Sequence, residues 1–134
     1  MDIIRRNTDY ALRLAASLVE NYGKSTISAR QLAKSCDVSY ELACKLLQKL
    51  SSAKLVERRM GASGGFELAK NPEKISLYQV IAAIQDNICL NRCVSDAKSC
   101  SRRLTCKTRK KLVALQKYIE EYLSDIRLDE LLKG

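Results

Sequence analysis

Four cysteines lie close together in the second half of the chain and are the residues best suited to chemistry. They are Cys89, Cys93, Cys100 and Cys106. Soft thiolates select iron-sulfur clusters, zinc or copper(I). The chain has no histidine, which excludes Ser-His and Cys-His nucleophiles and every Cys/His zinc pattern. The cysteines therefore predict a sensor-like metal centre, and the protein is not expected to be an enzyme.

The charge around these cysteines favours a thiolate-ligated centre. Residues 87–111 contain eight basic side chains and one acidic side chain, in a chain whose formal net charge is +9. The basic residues are Arg92, Lys98, Arg102, Arg103, Lys107, Arg109, Lys110 and Lys111. A cluster held by three or four thiolates is anionic, so these cations would offset its charge and favour deprotonated cysteines.

The cysteine spacing leaves three kinds of site open, of which an iron-sulfur cluster is favoured. A structural zinc site is the first alternative. Cys89 and Cys93 have the spacing of half such a site, but Cys100 and Cys106 lie wider apart than the usual second pair. A redox disulfide that needs no metal is the second alternative. Cys36, which lies in a predicted helix, is interpreted as a small buried apolar residue.

Length and composition predict one mainly α domain in the cytoplasm. The 134 residues are enough for one buried core, and the low aromatic content of 5% with a single proline favours helices over a sandwich or barrel. No apolar run is long enough to cross a bilayer, and the N-terminus lacks the apolar core of a signal peptide. Thiols stay reduced in the cytoplasm, so metal-binding cysteines are expected there rather than structural disulfides.

Residues 1–86 have the pattern of a winged helix-turn-helix. Asn7 and Thr8 are predicted to cap a first helix. Ser28 and Gln31 form a capping box that opens a second helix, and Ser39 caps a third. The outward side of the third helix has lysines that can contact DNA phosphates and polar side chains that can form hydrogen bonds with base edges. The DNA-contacting residues predicted there are Ser39, Tyr40, Lys45, Gln48 and Lys49.

A two-stranded β wing is predicted directly after this third helix. Residues 55–69 contain two extended-type runs joined by a glycine-rich hairpin tip. Arg58 and Arg59 at the base of the wing are predicted to contact phosphates or the minor groove, and Ser63 at the tip is a further predicted DNA contact. A small hairpin without a role in binding is the alternative, which the preceding helices disfavour.

The C-terminal part of the sequence is predicted to form a cysteine-rich cluster-binding loop at residues 87–106. A long dimerisation helix and tail are predicted at residues 104–134. The narrow apolar stripe of this helix consists of Leu112, Leu115, Ile119 and Tyr122. Such a stripe suits packing across a dimer axis, and two recognition helices about 34 Å apart can contact both halves of a palindromic double-stranded DNA operator. Packing against the protein's own core is the alternative.

Five features together carry a family resemblance. They are residues 7–13, the glycine-rich wing, residues 75–77, the three spaced cysteines and residues 126–132. Over essentially the whole chain they resemble the Rrf-type family of bacterial winged-helix transcription regulators, with its IscR-, NsrR- and RirA-like iron-sulfur members. The resemblance implies a homodimer whose long C-terminal helix crosses to the partner subunit. It also implies a cluster held by the cysteines that match Cys93, Cys100 and Cys106.

The resemblance offers two positions for a fourth ligand. NsrR-like members use an aspartate in the first helix of the other subunit, which matches Asp9. IscR-like members use a histidine where this chain has Arg109. Asp9 is therefore the predicted ligand, and Cys89 is a competing ligand within the same subunit. Because Asp9 matches the oxygen ligand of NsrR-like members and histidine is absent, the resemblance favours a 4Fe-4S cluster over a 2Fe-2S cluster.

The predicted function is a dimeric DNA-binding regulator, expected to be a repressor, that senses iron, redox state or nitric oxide through its cluster. A cluster-free thiol-switch or zinc-containing repressor of the cysteine-metabolism (CymR) kind is the alternative. An iron-sulfur electron carrier is a further alternative, but it leaves the helix-turn-helix and wing unexplained.

The chain departs from the family pattern at two places. In the cysteine loop, six residues separate Cys93 from Cys100 where five are more common. In the wing, Met60 replaces an arginine before the glycines.

Overall fold

The computed structural model describes residues 2–133 and contains, in that range, six α-helices and a two-stranded antiparallel sheet. The elements are α1 (Arg6–Glu20), α2 (Ala29–Cys36), α3 (Tyr40–Ser52), β1 (Val56–Arg59), β2 (Gly65–Leu68), α4 (Leu77–Gln85), α5 (Arg92–Ser95) and α6 (Lys107–Asp125). Short 3-10 turns lie at Pro72–Lys74, Ala97–Ser99 and Leu128–Leu132. The predicted mainly α winged helix-turn-helix is confirmed. None of the described helices is long and apolar enough to span a lipid bilayer.

The second and third helices begin where the sequence predicts. The Ser28 hydroxyl accepts a hydrogen bond from the Gln31 amide at 3.2 Å, and the Gln31 side chain accepts one from the Ser28 amide at 3.3 Å. Ser39 caps α3 by accepting from the Leu42 amide at 3.3 Å. Asp37, with a φ of 56°, makes the left-handed turn that ends α2. Local hydrogen bonds therefore fix both helix starts.

The first helix, α1, lies at the centre of the core. Its inner side is formed by Ala11, Leu14 and Leu18, which are almost completely buried among α2, α3 and α4. The last part of the chain returns to this core, because Leu128 is 1% exposed and its amide donates to the Ile75 carbonyl at 2.9 Å. The helix-turn-helix and the C-terminal tail therefore share one hydrophobic core.

The start of α1 differs from the sequence prediction. Asn7 and Thr8 do not cap this helix, which begins at Arg6 after a residue that makes no side-chain capping bond. Thr8 is fully buried, and its hydroxyl donates to Gln85 Oε1 at 2.7 Å. The same oxygen accepts from the Arg5 amide at 3.0 Å. The predicted cap was wrong because Thr8 faces the core, where a side chain from α4 satisfies both its hydroxyl and a free amide.

The wing is attached to the segment that precedes α2. The two strands pair along their whole length at the predicted place in the chain. On the other side of β2, Ile27 and Phe66 exchange two backbone hydrogen bonds of 3.0 and 2.7 Å. A Cβ atom at Gly65 would lie 2.6 Å from the carbonyl of Ile27, so this close pairing requires glycine. The wing therefore keeps a fixed position relative to the start of α2.

The last helix, α6, exposes much of its predicted apolar stripe. It begins slightly later than predicted, packs against α4 and α5, and buries only Gln116 among its residues. Leu115 is 47% exposed and Tyr122 is 59% exposed. Leu112 and Ile119 are half-buried. The chain's own core therefore covers only part of the stripe.

Candidate metal centre and nucleic-acid interface

Three of the predicted ligands occupy successive short elements in front of α6. Cys93 lies in α5, Cys100 follows the turn Ala97–Ser99, and Cys106 is the N-cap residue of α6. All three are free thiols of intermediate exposure. The loop therefore presents sulfur donors near the surface, and thiolate sulfur is the donor type that iron-sulfur clusters require.

Arg109 connects the first and third of these cysteines. Its backbone amide donates to Cys106 Sγ at 3.4 Å, and its side-chain Nε donates to the Cys93 carbonyl at 3.1 Å. The guanidinium and the positive end of the α6 dipole therefore lie beside the residues that carry the thiols. Positive charge at this place offsets the negative charge of a thiolate-ligated group, so the surroundings fit an iron-sulfur cluster.

The other two predicted ligands make different contacts. Cys89 lies in the connection between α4 and α5, and its thiol donates to the Asn91 carbonyl at 3.1 Å. Asp9 lies on the exposed side of α1, where it forms an ion pair with Arg13 at 3.1 Å. Within residues 2–133, no three Cys, Asp or Glu side chains form a group close enough to hold a metal ion. The structure therefore does not bring the predicted ligands together within one subunit, and Cys93, Cys100, Cys106, Asp9 and Cys89 all remain predicted ligands.

The remaining two cysteines lie in the helix-turn-helix. Cys36, at the end of α2, packs against the core, and its thiol donates to the Arg13 carbonyl at 3.5 Å. This agrees with its interpretation as a small apolar residue, although part of its surface stays exposed. Cys44 on α3 is also a free thiol of intermediate exposure.

The outward side of α3 displays the predicted DNA-contacting residues. Tyr40, Lys45, Gln48 and Lys49 are all exposed. Ser39 is exposed as well, but its hydroxyl is engaged in capping the helix. Two ammonium groups and two hydrogen-bonding side chains therefore line the exposed half of α3, which suits insertion into a major groove.

Arg30 is a candidate that the sequence reasoning did not select as a DNA contact. Its guanidinium carbon lies 4.3 Å from the centroid of the Tyr40 ring, so the first turn of α2 stacks on the first residue of α3. In helix-turn-helix proteins the first helix crosses the DNA backbone, while the start of the second reaches base edges. Sequence carries no signal for this contact, because it depends on the angle between the two helices.

The two wing arginines have different surroundings. Arg59 forms an ion pair with Glu67 across the strands at 2.6 Å, and the hydrogen bond that its Nε donates to the Glu67 carboxylate raises the pKa of Arg59. Arg58 has no ion-pair partner among residues 2–133. At the tip, the carbonyl of Ser63 accepts a hydrogen bond from the Thr26 hydroxyl at 2.7 Å. Arg58 is therefore the wing arginine more available for a phosphate.

Comparison with known proteins decides the family. The Rrf2 family model, described as an iron-dependent transcriptional regulator, matches residues 4–134. The chain belongs to the Rrf2 family. This confirms the resemblance found in the sequence and makes the Rrf2 chain a transcription regulator that binds DNA. The exposed face of α3 and the wing are the surfaces that the winged-helix fold offers for this binding.

Two relatives cover most of this Rrf2 chain. The HTH-type transcriptional regulator NsrR of Shouchella clausii is 30% identical over 129 residues, which span 92% of this chain and 87% of that protein. NsrR of Halalkalibacterium halodurans is also 30% identical over 129 residues, spanning 92% of this chain and 88% of that protein. The similarity includes both the helix-turn-helix and the cysteine loop, because so much of the chain is matched.

Solved structures share the architecture of the Rrf2 chain. CymR, the global cysteine regulator of B. subtilis, superimposes with a TM-score of 0.82 at 22% identity, and the match covers 98% of this chain and 96% of that one. The IscR of T. potens gives a TM-score of 0.79 at 23% identity, covering 97% of this chain and 85% of that one. At these identities the likeness establishes the fold alone.

Proposed function

We propose that this Rrf2 chain is a homodimeric repressor that senses iron, redox state or nitric oxide through an iron-sulfur cluster in the loop of residues 87–106. The observation that carries the proposal is the placement of Cys93, Cys100 and Cys106 on three successive elements that end at the start of α6. The description of the family as iron-dependent and the 30% identity to NsrR of Shouchella clausii support the iron chemistry.

The proposed ligands are the thiolates of Cys93, Cys100 and Cys106, with the carboxylate of Asp9 of the partner subunit as the fourth. When bound, the cluster supplies iron and sulfide that react with oxygen or nitric oxide. A cluster of the 4Fe-4S type is favoured over a 2Fe-2S cluster because Asp9 matches the oxygen ligand of NsrR-like members and the chain has no histidine.

Ligation by Asp9 would connect the two subunits. Asp9 would exchange its ion pair with Arg13 for the metal ligand, and this exchange costs little because both side chains are exposed. Release of the carboxylate would remove one connection between the subunits and let the separation of the two α3 helices change. A differential of about 1–3 kcal/mol between two such states is enough for regulation.

The exposed apolar side of α6 is the proposed dimer surface. Leu115 and Tyr122 lie on it, and Tyr118 stacks against Tyr122 with ring centroids 6.4 Å apart. Because exposed aromatic surface of this kind is stabilised by burial against a partner, a second copy of the chain is the expected occupant. The dimer would place two α3 helices on a palindromic double-stranded operator.

Anaerobic purification tests the cofactor. The wild-type protein is expected to be brown and to contain iron and acid-labile sulfide, and Cys106→Ala is expected to lose both, because one of the thiolate ligands is removed. Cys36→Ala is the matched control, because this cysteine lies at the end of α2 and packs against the core. A colourless wild-type protein that binds only zinc, or an iron-free one whose thiols respond to oxidants, would contradict the proposal.

Mixed dimers identify the fourth ligand. If Asp9 of the partner subunit ligates the cluster, a dimer of one Asp9→Asn subunit and one Cys106→Ala subunit keeps one intact site. Ligation by Asp9 of the same subunit would leave that mixed dimer without any intact site. Ligation by Cys89 would leave the Asp9→Asn subunit with an intact site, so it needs a separate test. Cys89→Ala in both subunits is the companion measurement, and it should leave the absorption spectrum unchanged. Iron content per dimer and the visible spectrum distinguish these outcomes.

A further inference from the structure

Two glutamine side chains make the same unusual pair of backbone contacts in different parts of the protein. Gln85 Nε2 donates to the Ile3 carbonyl at 2.9 Å, and its Oε1 accepts from the Arg5 amide at 3.0 Å. Gln116 Nε2 donates to the Ile88 carbonyl, and its Oε1 accepts from the Leu90 amide at 3.0 Å. Each side-chain amide therefore bonds the carbonyl of one residue and the N–H of the residue two positions later, as a neighbouring β-strand would.

Both glutamines are buried, and each side-chain amide makes three hydrogen bonds. Gln85 is 6% exposed and Gln116 is 8% exposed. Gln85 also accepts from the Thr8 hydroxyl at 2.7 Å, and Gln116 also donates to Glu120 at 2.9 Å. A buried amide that loses its partners carries a full desolvation cost, so these side chains hold their backbone partners in place. We refer to the two contact sets as the Gln85 clamp and the Gln116 clamp.

The two clamps lie at opposite ends of one short connector, residues 86–90, which follows α4 and forms the first part of the cysteine loop. Gln85 is the last residue of α4, and Asp86 after it has a φ of 67°, so the chain turns sharply there. The N-terminal segment, the connector and the start of α5 line a common cleft, to which Ile3, Cys89 and Arg92 contribute. Hydrogen bonds from Gln85 thus hold the segment that leads into α1, and hydrogen bonds from Gln116 hold the connector against α6.

We propose that Gln85 and Gln116 are positioning residues that couple the cysteine loop to α1 on one side and to α6 on the other. The coupling itself rests on the observed contacts, and its regulatory use rests on the function proposed above. The connector carries Cys89 and precedes Cys93 by only a few residues. A displacement of the loop moves the connector, and the connector cannot move without straining one of the clamps. The Gln85 clamp holds the segment that leads into α1, whose Asp9 is the proposed ligand and whose inner side lies in the core beside α3.

Amide hydrogen exchange in the cluster-free protein tests the coupling without any cofactor. Gln116→Met keeps the length of the side chain and removes its hydrogen bonds. The hydrogen-exchange rate of the Leu90 amide must therefore rise, because this amide donates to Gln116 in the wild type. The informative amide is that of Arg5 at the other clamp, where exchange is expected to rise about twofold to tenfold. Lys117→Met is the matched control, because it removes only an exposed ion pair of 3.9 Å on the same helix. A change confined to residues 88–90 would overturn the proposal.

A second pair of variants tests the coupling in the opposite direction. Thr8→Val has nearly the same shape as threonine but cannot donate to Gln85, whereas Thr8→Ser retains the hydroxyl. Exchange at Leu90 is expected to rise in Thr8→Val and to stay at the wild-type level in Thr8→Ser. Thermal unfolding confirms that each variant is folded. Equal exchange at Leu90 in the two variants would count against coupling, since a purely local role of Thr8 does not reach α6.

Operator binding separates this inference from the function on which its regulatory use rests. The ratio of operator Kd between cluster-loaded and cluster-free protein is measured for wild type and for Gln116→Met. If the wild type holds no iron, or if its operator Kd is the same with and without the cluster, the proposed function fails. The hydrogen-exchange experiments still decide the coupling. If the operator Kd of the wild type depends on the cluster, Gln116→Met is expected to reduce the ratio of the two Kd values about threefold with unchanged iron content. An unchanged ratio in that variant rejects the regulatory use of the coupling.

Discussion

The guanidinium of Arg30 lies 4.3 Å from the ring centroid of Tyr40, and this stack joins the start of α2 to the start of α3. Both side chains are exposed. A planar guanidinium that rests on an aromatic ring is already oriented, so it loses less freedom when its N–H groups meet a phosphate. The contact therefore extends the DNA-binding surface of α3 onto α2.

We expect Arg30→Ala and Tyr40→Leu each to weaken operator binding, with losses that are not additive. Each change destroys the same stack, so the double variant should lose about 0.5–1 kcal/mol less than the sum of the single losses. Fluorescence anisotropy with a palindromic duplex selected from random DNA measures the three affinities. Tyr40→Phe keeps the ring and should keep the coupling. Strictly additive losses would show that the two residues act independently.

The wing arginines should contribute unequally to binding. Arg58→Ala is expected to reduce the slope of log affinity against log salt concentration by about 0.9, the change for one lost phosphate contact. Arg59→Ala should reduce it less, because the ion pair with Glu67 already occupies that guanidinium. Glu67→Gln should release Arg59 and strengthen binding at low salt. Equal slopes for the Arg58 and Arg59 variants would argue against this assignment.

The apolar side of α6 should determine the oligomeric state. Leu115→Glu places a charge on a side chain that is 47% exposed in one subunit, so the fold is retained while a dimer contact is lost. Sedimentation velocity is expected to show a monomer for this variant and a dimer for the wild type. Lys117→Glu lies about 200° further around the same helix and should remain dimeric. A dimeric Leu115→Glu protein would place the interface elsewhere.

Gly65→Ala should loosen the wing. The added Cβ atom would lie 2.6 Å from the Ile27 carbonyl, and such overpacking costs about 1–3 kcal/mol. Exchange of the Ile27 and Phe66 amides should increase, because the backbone pairing between these residues is pushed apart. Gly23→Ala is the control, since its Cβ atom would meet no other atom within 4 Å. That variant should leave the two wing amides protected, even if its φ of 77° makes it less stable.

Some helix starts could be predicted from the sequence and others could not. Ser28 with Gln31 and Ser39 with Leu42 were predictable, because each cap joins residues three positions apart and needs no other part of the fold. The start of α1 was not predictable in the same way. Its first amide is satisfied by Gln85, which lies 80 residues from Arg5 in the chain. A threonine next to a helix start has the same sequence signal whether it faces solvent or the core.

The candidate metal centre shows the same division. The type and spacing of its cysteines were visible in the sequence, and so was the surrounding positive charge. Arg109 was visible as one of several cations and as the residue at the histidine position of IscR-like members. Its bond to the Cys93 carbonyl was not predictable, because that bond requires the first turn of α6 to lie against α5. The clamps formed by Gln85 and Gln116 had no sequence signal, since a glutamine in a helix is usually a solvated residue.

The helix-turn-helix, the wing, the cysteine-rich loop and the apolar stripe of α6 are all readable from the amino-acid order alone, because periodicity, capping residues, glycines and thiols act over a few neighbouring positions. Which polar side chains contact one another depends on the folded arrangement. Arg30 meets Tyr40, Arg59 is occupied by Glu67, and the two buried glutamines hold the entrance of the cysteine loop. Each contact depends on how two elements are placed: the angle between α2 and α3 for Arg30, the pairing of β1 with β2 for Arg59, and helix packing for the glutamines. Gln85 and Ile3, which it contacts, lie 82 residues apart in the chain.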